Sequence, residues 1–341
     1  MVMDKYTFQD FKSDQEVRWC PGCGDHAVLA ALQRVMPKVS EELGCAKEDF
    51  VVVSGIGCSS RLPYYMDTYG FHSIHGRATA IATGMKVANP DLVIWQACGD
   101  GDALAIGGNH FIHAVRRNVD LNIILFNNRI YGLTKGQYSP TSRFGAVTKT
   151  SPYGTVEHPF NPGSLVLGSK GTFFARSLDS ELKLNEEIML AAALHKGTSV
   201  MEMLTNCVIF NDGAHKEISD RATRADRTIV LRHGEKMIFG KDRNKGLVLD
   251  GLRLKVVTIG EDGVTEDDIL THDAHSDNLG LHTMLADMKY PDFPVALGVI
   301  RDVEDVVYDE AVQAQVEDVT RKSRIGCVDD LLRSGSVWEV K

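Results

Sequence analysis

The chain predicts an α/β fold, a doubly wound and mostly parallel sheet followed by a C-terminal extension. Three observations carry that expectation. Apolar runs of strand length recur along the first two-thirds of the sequence: Phe50 to Val53, Leu92 to Ala97, Leu121 to Phe126, Gly171 to Arg176 and Ser199 to Leu204. Helical spacing fills intervals between them. Ala103 to Arg117 places Leu104, Phe111, Ile112 and Val115 on one face, and Leu182 to His195 does the same with Leu184, Ile188, Leu190, Ala191 and Leu194. Several of the apolar runs end in Gly, Asp, Asn or Cys, which suits strand ends at the ligand crevice of an open sheet.

The chain divides near residue 210, giving a sheet domain over 1–210 and an extension over 211–341, because the composition shifts there. Lys216 to Lys245 is rich in charge. Asp226 to Leu231 and Lys236 to Gly240 read as a hairpin, Gly251 to Ile259 as a further strand-rich piece, and Val303 to Lys322 as a polar helix. Such an extension would cover a site, dock a partner or stabilise the sheet. With 341 residues the chain is long enough for one large core and an appendage. A net charge of −9 argues against nucleic acid as a main partner. No stretch has signal-peptide character or the length of a membrane span, so 7 cysteines point to ligands or core positions in a reducing cytoplasm.

Gly99-Asp100-Gly101-Asp102 ends one apolar run, and Asn127-Asn128 ends the next, one helical crossover later. Two parallel strands joined in this way bring their carboxyl ends together. Asp100 and Asn128 then offer oxygen to one hard cation such as Mg²⁺. Gly101 and Asp102 open the following helix, whose free N–H groups favour a phosphate. A carboxylate, an amide oxygen and a helix N-terminus describe a Mg²⁺–diphosphate site. Neither G-x-G-x-x-G nor G-x-x-x-x-G-K-[ST] is matched, which removes the usual dinucleotide and P-loop readings.

Trp19-Cys20-Pro21-Gly22-Cys23-Gly24 is a tight CxxC knuckle. Cys58 follows the Phe50 to Val53 strand in Gly55-Ile56-Gly57-Cys58-Ser59-Ser60, and Cys207 follows the Ser199 to Leu204 strand. A CxxC pair with two distant cysteines suits Zn²⁺ or a [4Fe–4S] cluster, and spacing does not separate them. A zinc deaminase is disfavoured, because the H-x-E of His215-Lys216-Glu217 lies far downstream of the CxxC. Cys98 reads as a core residue, and Cys45 and Cys327 lie in less suggestive contexts.

Taken together, these segments resemble the beta subunit of a 2-oxoacid:ferredoxin oxidoreductase, most closely the 2-oxoglutarate type, across residues 15 to 210. The motifs that carry the resemblance are Trp19 to Gly24, Gly55 to Ser59, His72-Ser73-Ile74-His75-Gly76-Arg77-Ala78, Gly99 to Asp102, Asn127 to Thr134 and Gly136 to Thr141. Pro294 to Val299 is a weaker feature of the tail.

The resemblance implies a thiamine diphosphate (ThDP) fold in the first domain and tips the four-cysteine site to [4Fe–4S], with Cys20, Cys23, Cys58 and Cys207 as its ligands. Asp100, Asn128 and the Ile130 carbonyl are implied to bind Mg²⁺. Ile56, Gly57, Cys58, Ser59, His75, Gly99, Gly101, Asp102, Gly132 and Leu133 are implied to line the cofactor. The activity implied is coenzyme A-dependent oxidative decarboxylation of 2-oxoglutarate to succinyl-CoA and CO₂, reversible in principle, with electrons passing to ferredoxin. Pyruvate or another 2-oxoacid is the alternative substrate, and a zinc-stapled binding subunit without catalysis is the remote alternative. His75 is expected in the catalytic site, with a loop histidine as its plainer role. His72 is read as structural. Arg61 is expected to pair a second substrate carboxylate, with a surface or interface ion pair as its plainer role. ThDP enzymes place a Glu against the aminopyrimidine from a second domain. This chain holds one such domain, so an alpha subunit supplying the Glu in an αβ or α2β2 assembly is expected.

Overall fold

The computed structural model describes residues 5–340. Among these residues eleven strands are present: β1 Phe50–Ser54, β2 Tyr69–His72, β3 Val93–Gly99, β4 Leu121–Asn127, β5 Phe173–Leu178, β6 Thr198–Leu204, β7 Thr228–Leu231, β8 Ile238–Phe239, β9 Lys245–Asp250, β10 Arg253–Thr258 and β11 Val295–Asp302. Eight of them form one sheet in the order β2-β1-β3-β4-β6-β5-β11-β7. All neighbours in it are parallel except β5 and β11. Strands β1, β4, β5 and β6 are buried throughout, which is why they read as nearly unbroken apolar runs.

Helices cover both faces. Asp25–Leu43 and Leu182–Leu194 pack on one side, around Leu32, Met36, Trp95 and Met189. Ala78–Ala88, Gly108–Arg117, Pro162–Gly168 and Leu279–Asp287 pack on the other, around Phe111, Val115, Leu125 and Leu285. Parallel pairing then sets the ends of β1, β3, β4 and β6 along one edge, with Gly99 opposite Phe126 and Asn127 opposite Leu204.

Three local expectations change. The Ala103 to Arg117 helix is two pieces, a π-helical turn over Asp102–Ile106 and a helix over Gly108–Arg117, broken at Ala105 (φ −89°, ψ −105°). Gly107 N donates to Asp102 O at 3.2 Å, the wide i→i+5 bond of a π-turn. The expected Gly171 to Arg176 strand starts two residues later, over Phe173–Leu178, with Arg176 inside it paired to Glu202 on β6. The expected 226–240 hairpin does not form: β7 pairs with β11, while β8 joins the antiparallel sheet β10-β9-β8.

The main sheet therefore takes in two strands from beyond residue 210, and the small sheet adds Met237, Phe239, Leu247 and Leu254 to the second core. The helix Tyr308–Lys322 lies against the opposite edge of the sheet from the cysteines. There Asp120 N donates to Asp309 Oδ1 at 2.9 Å, and Gln313 Nε2 donates to Val87 O at 3.2 Å. Among the described residues, no helix is long and apolar enough to cross a membrane.

Candidate active site

The ends of β1, β3 and β4 enclose a cavity of about 430 Å³. Ile56, Gly57, Cys58, Ser59, His75, Gly99, Asp100, Gly101, Asp102, Asn128, Ile130, Gly132 and Leu133 all line it. Every residue expected at the cofactor thus faces one space. Tyr131 and Phe126 complete the apolar part of the wall.

Asp100 is 2% exposed. Ser139 Oγ and Thr141 Oγ1 each lie 2.5 Å from its Oδ2, and Thr141 Oγ1 is also 2.9 Å from Asn127 Oδ1. Burial pushes the Asp100 carboxyl above its ordinary range, while these hydroxyls pull the other way. A cation would restore the charged form that burial opposes. Asn127 Nδ2 donates to Glu202 Oε1 at 2.7 Å, and Arg176 Nε donates to Glu202 Oε2 at 2.7 Å, deep between β5 and β6. Removing one partner of such a buried pair would leave an uncompensated charge. Asn128 Oδ1 accepts from Ile130 N at 3.1 Å, and Asn211 Nδ2 donates to Asn128 O at 2.9 Å, so the turn is held from both sides.

Asp102 acts as a strut. Its Oδ1 accepts from Ile56 N at 3.0 Å and Gly76 N at 2.8 Å, and it lies 2.8 Å from His75 Nδ1. It ties the β1 turn to the His75 loop and leaves the half-exposed imidazole at the cavity wall with Nδ1 engaged. Tyr131 closes the other side: its hydroxyl donates to Gly101 O at 3.0 Å, and burial followed by Asp100 pushes it up to about 12.

The thiols gather at the far end of the same crevice. Cys58 and Cys207 Sγ lie 3.4 and 3.6 Å from the point where a Cβ on Gly132 would stand, which places both thiols beside Gly132. The knuckle is pinned by backbone. Cys23 N donates to Cys20 O at 3.0 Å, Gly24 N to Asn206 O at 3.1 Å, and Trp19 Nε1 to Cys58 O at 2.7 Å. A side chain on Gly24 would strike Asp179 Oδ2 at 2.1 Å and close that approach. Burial pushes the Cys58 thiol up to about 11, with Asp25, Cys207 and Cys20 adding to the rise and Arg61 opposing it. Burial also drives Cys23 upward, helped by Asp25, Cys58 and Cys207. All four cysteines are thus electrostatic neighbours. Among the described residues no three ligating side chains meet closely enough to grip a single ion. Cys98 is buried in β3, Cys327 is exposed in the tail, and Cys45 follows the first long helix.

Arg61 lines an adjoining cavity of about 290 Å³ with Arg18, Tyr64 and His72, sharing Ile56, Gly57 and Leu133 with the larger one. His72, at the exposed end of β2, stands in that cavity wall.

Sequence reading gave no role to Ser139, Thr141, Asn127, Asn211, Arg176 or Glu202. A signal for the last two existed: each is a charged residue in the middle of an apolar strand, and they face each other in register across β5 and β6.

Comparison with known proteins agrees with this geometry. A family model described as the thiamine pyrophosphate enzyme, C-terminal TPP binding domain, matches residues 55–203. The chain is 47% identical over 335 residues to the 2-oxoglutarate oxidoreductase subunit KorB of Mycobacterium tuberculosis, covering 97% of this chain and 88% of that one. It is 46% identical over 194 residues to 2-oxoacid:ferredoxin oxidoreductase 1, subunit beta, of Aeropyrum pernix, covering 57% of this chain and 60% of that one. A solved 2-oxoglutarate:ferredoxin oxidoreductase from Magnetococcus marinus, with 2-oxoglutarate, coenzyme A and succinyl-CoA bound, matches at a TM-score of 0.75 and 31% identity over 98% of this chain and 97% of that one. A relative at that identity along nearly the whole length decides the matter, and the chain belongs to the 2-oxoacid:ferredoxin oxidoreductase beta-subunit family.

Proposed function

We propose that the chain is the subunit of a cytoplasmic 2-oxoglutarate:ferredoxin oxidoreductase that holds the diphosphate half of ThDP and a [4Fe–4S] cluster. It works with an alpha subunit, coenzyme A and ferredoxin. One observation carries the reading. Cys58 and Gly132 line the cavity that holds Asp100 and Asn128 and also border the thiol group, so the two chemistries share a wall.

In this reading Asp100, Asn128 and the Ile130 carbonyl hold Mg²⁺, while Cys20, Cys23, Cys58 and Cys207 hold the cluster. Bound ThDP supplies the electron sink for loss of CO₂ from a 2-oxoacid, and the cluster takes up electrons one at a time. The donor sets fit these groups. A buried carboxylate braced by two hydroxyls suits a hard cation. Four neighbouring thiols, one for each iron, suit a cluster.

This chain's side chains have separable tasks. Ser139 and Thr141 fix Asp100, and Asp102 fixes the His75 ring so that its Nε2 holds or passes a proton at the cavity wall. Ile56, Phe126, Ile130 and Leu133 exclude water from the reacting end. Arg61 pairs the distal carboxylate of 2-oxoglutarate from the adjoining cavity. The alpha subunit brings the Glu that faces the aminopyrimidine.

Reconstitution with the alpha subunit tests the assignment. The expected complex has visible absorbance that dithionite bleaches, and it oxidises 2-oxoglutarate faster than pyruvate with viologen as acceptor. Arg61→Ala should narrow the ratio of the two kcat/KM values about tenfold, a loss of about 1.4 kcal/mol. A wild-type preference for pyruvate would overturn the substrate. An unchanged ratio in Arg61→Ala would move specificity to the alpha subunit. A colourless protein that binds zinc would support the scaffold reading instead.

A further inference from the structure

Behind the oxygen-lined end lies another cavity, of about 320 Å³, that the proposed reaction does not use. Arg129, Arg143, Arg176 and Lys289 line it, against the two carboxylates of Glu202 and Glu217, so the wall carries two positive charges in excess.

The arginines are not equally satisfied. Arg176 is matched by Glu202, with Ala286 O and Asn161 Oδ1 accepting its other N–H groups at 3.2 and 3.3 Å. Arg143 pairs with Glu217 and donates to Ala214 O at 3.2 Å. Arg129 has five N–H donors. Among the described residues it makes one side-chain hydrogen bond, from Nη1 to Ala214 O at 3.3 Å. A half-buried guanidinium with a largely free fork, beside Arg143 and Lys289, is suited to a carboxylate or phosphate.

We propose that this cavity binds a small oxyanion with two negative charges, a phosphate or a short dicarboxylate, through Arg129, Arg143 and Lys289. Its volume is at the lower end of ordinary ligand pockets, about 300 Å³, which favours a small acid. Its position couples it to the cofactor site. Arg129 lies between Asn128 and Ile130 at φ 57°, and its carbonyl accepts from Ser142 Oγ at 2.7 Å. Thr141, which braces Asp100, stands in the same wall. An anion that draws the Arg129 side chain therefore acts on the turn presenting Asn128, and ThDP binding in turn acts on the anion.

The test uses the two-subunit complex saturated with ThDP and Mg²⁺, so that the diphosphate pocket is filled. Inorganic phosphate and malonate are titrated separately by calorimetry, against chloride at matched ionic strength. Saturable binding of either is expected, and the tighter one names the chemistry. Arg143→Gln and Lys289→Gln should each weaken it about fivefold to tenfold. Lys289 is exposed, so its variant keeps the fold, as an unchanged melting temperature will verify. Heats equal to those of chloride for both anions, or wild-type affinity in both variants, would overturn the proposal. Binding is read without turnover, so this failure is distinguishable from failure of the reaction assigned above.

Discussion

At one end of the crevice, Asp100 is braced by Ser139 and Thr141, and the bracing continues through Asn127 to the buried Glu202–Arg176 pair. At the other end, Cys58 and Cys207 flank Gly132, and the knuckle is fixed by backbone bonds rather than by bonds to sulfur. The oxygen end is set before any ligand arrives. The thiol end is a frame in which burial holds the Cys23 and Cys58 thiols above their ordinary value, so a metal would have to displace their protons. Preorganisation of this kind suits a cofactor that is bound and exchanged whole, and a frame suits a cluster that completes its own site.

The largest effect should follow from Asp100→Ala or Asn128→Ala. Turnover is lost and ThDP affinity falls by more than the roughly 10–100-fold typical of removing an outer partner, while iron content stays near wild type. Calorimetric titration of ThDP beside iron analysis measures both, and unchanged affinity in the two variants would dissolve the clamp.

Cys20→Ala or Cys207→Ala should do the opposite. The four-iron EPR signal after dithionite reduction disappears, whereas Cys45→Ala and Cys327→Ala retain it. A stable full signal in Cys207→Ala would mean that the frame has another fourth corner.

Thr141→Val removes one brace and keeps the volume. Mg²⁺–ThDP affinity should drop roughly 10–100-fold with the iron intact. A drop below about twofold would show that the oxygen end is not set by its hydroxyls.

The smallest effect concerns acid. His215 Nε2 donates to Asn127 O at 2.9 Å, and Nδ1 is buried with no partner. Burial, then Arg129, lower its value from 6.5 to about 3. Its stabilising share is therefore complete above about pH 6.5 and is lost as pH falls from there towards 3, since the unfolded chain takes up the proton first. At pH 5 the loss is about 1–2 kcal/mol. Melting curves between pH 7 and 5 should fall less steeply for His215→Gln, and parallel curves would exclude His215 as the cause.

Legibility in the sequence followed distance along the chain. The Asp100–Asn128 pair was readable because one strand–helix–strand unit brings both to an edge, and the chain encodes that unit locally. The cysteines needed the resemblance as well, since spacing alone left zinc open. The bracing of Asp100 was hidden because Ser139 and Thr141 arrive on a loop whose course depends on what it folds against. The 226–240 segment misled for a related reason: two short apolar runs look like a hairpin, yet the exposed side of β11 offered Thr228–Leu231 a longer parallel partner. The π-turn at Asp102–Ile106 has an ordinary helical sequence, and the tie from Asp102 to the His75 loop draws it out of register.

The place of β11 has a consequence for synthesis. It is made after β1 to β10, yet it fills the position between β5 and β7. Until it emerges, β5 holds one open edge, a row of unpaired N–H and C=O groups of the kind that recruits other chains. The eight-stranded sheet cannot be completed before residue 302 is available. A chain stopped near residue 210 keeps every proposed ligand of iron and magnesium, but it carries that open edge permanently. Such a fragment should aggregate before its chemistry can be assayed, because the extension supplies the strand that covers the β5 edge.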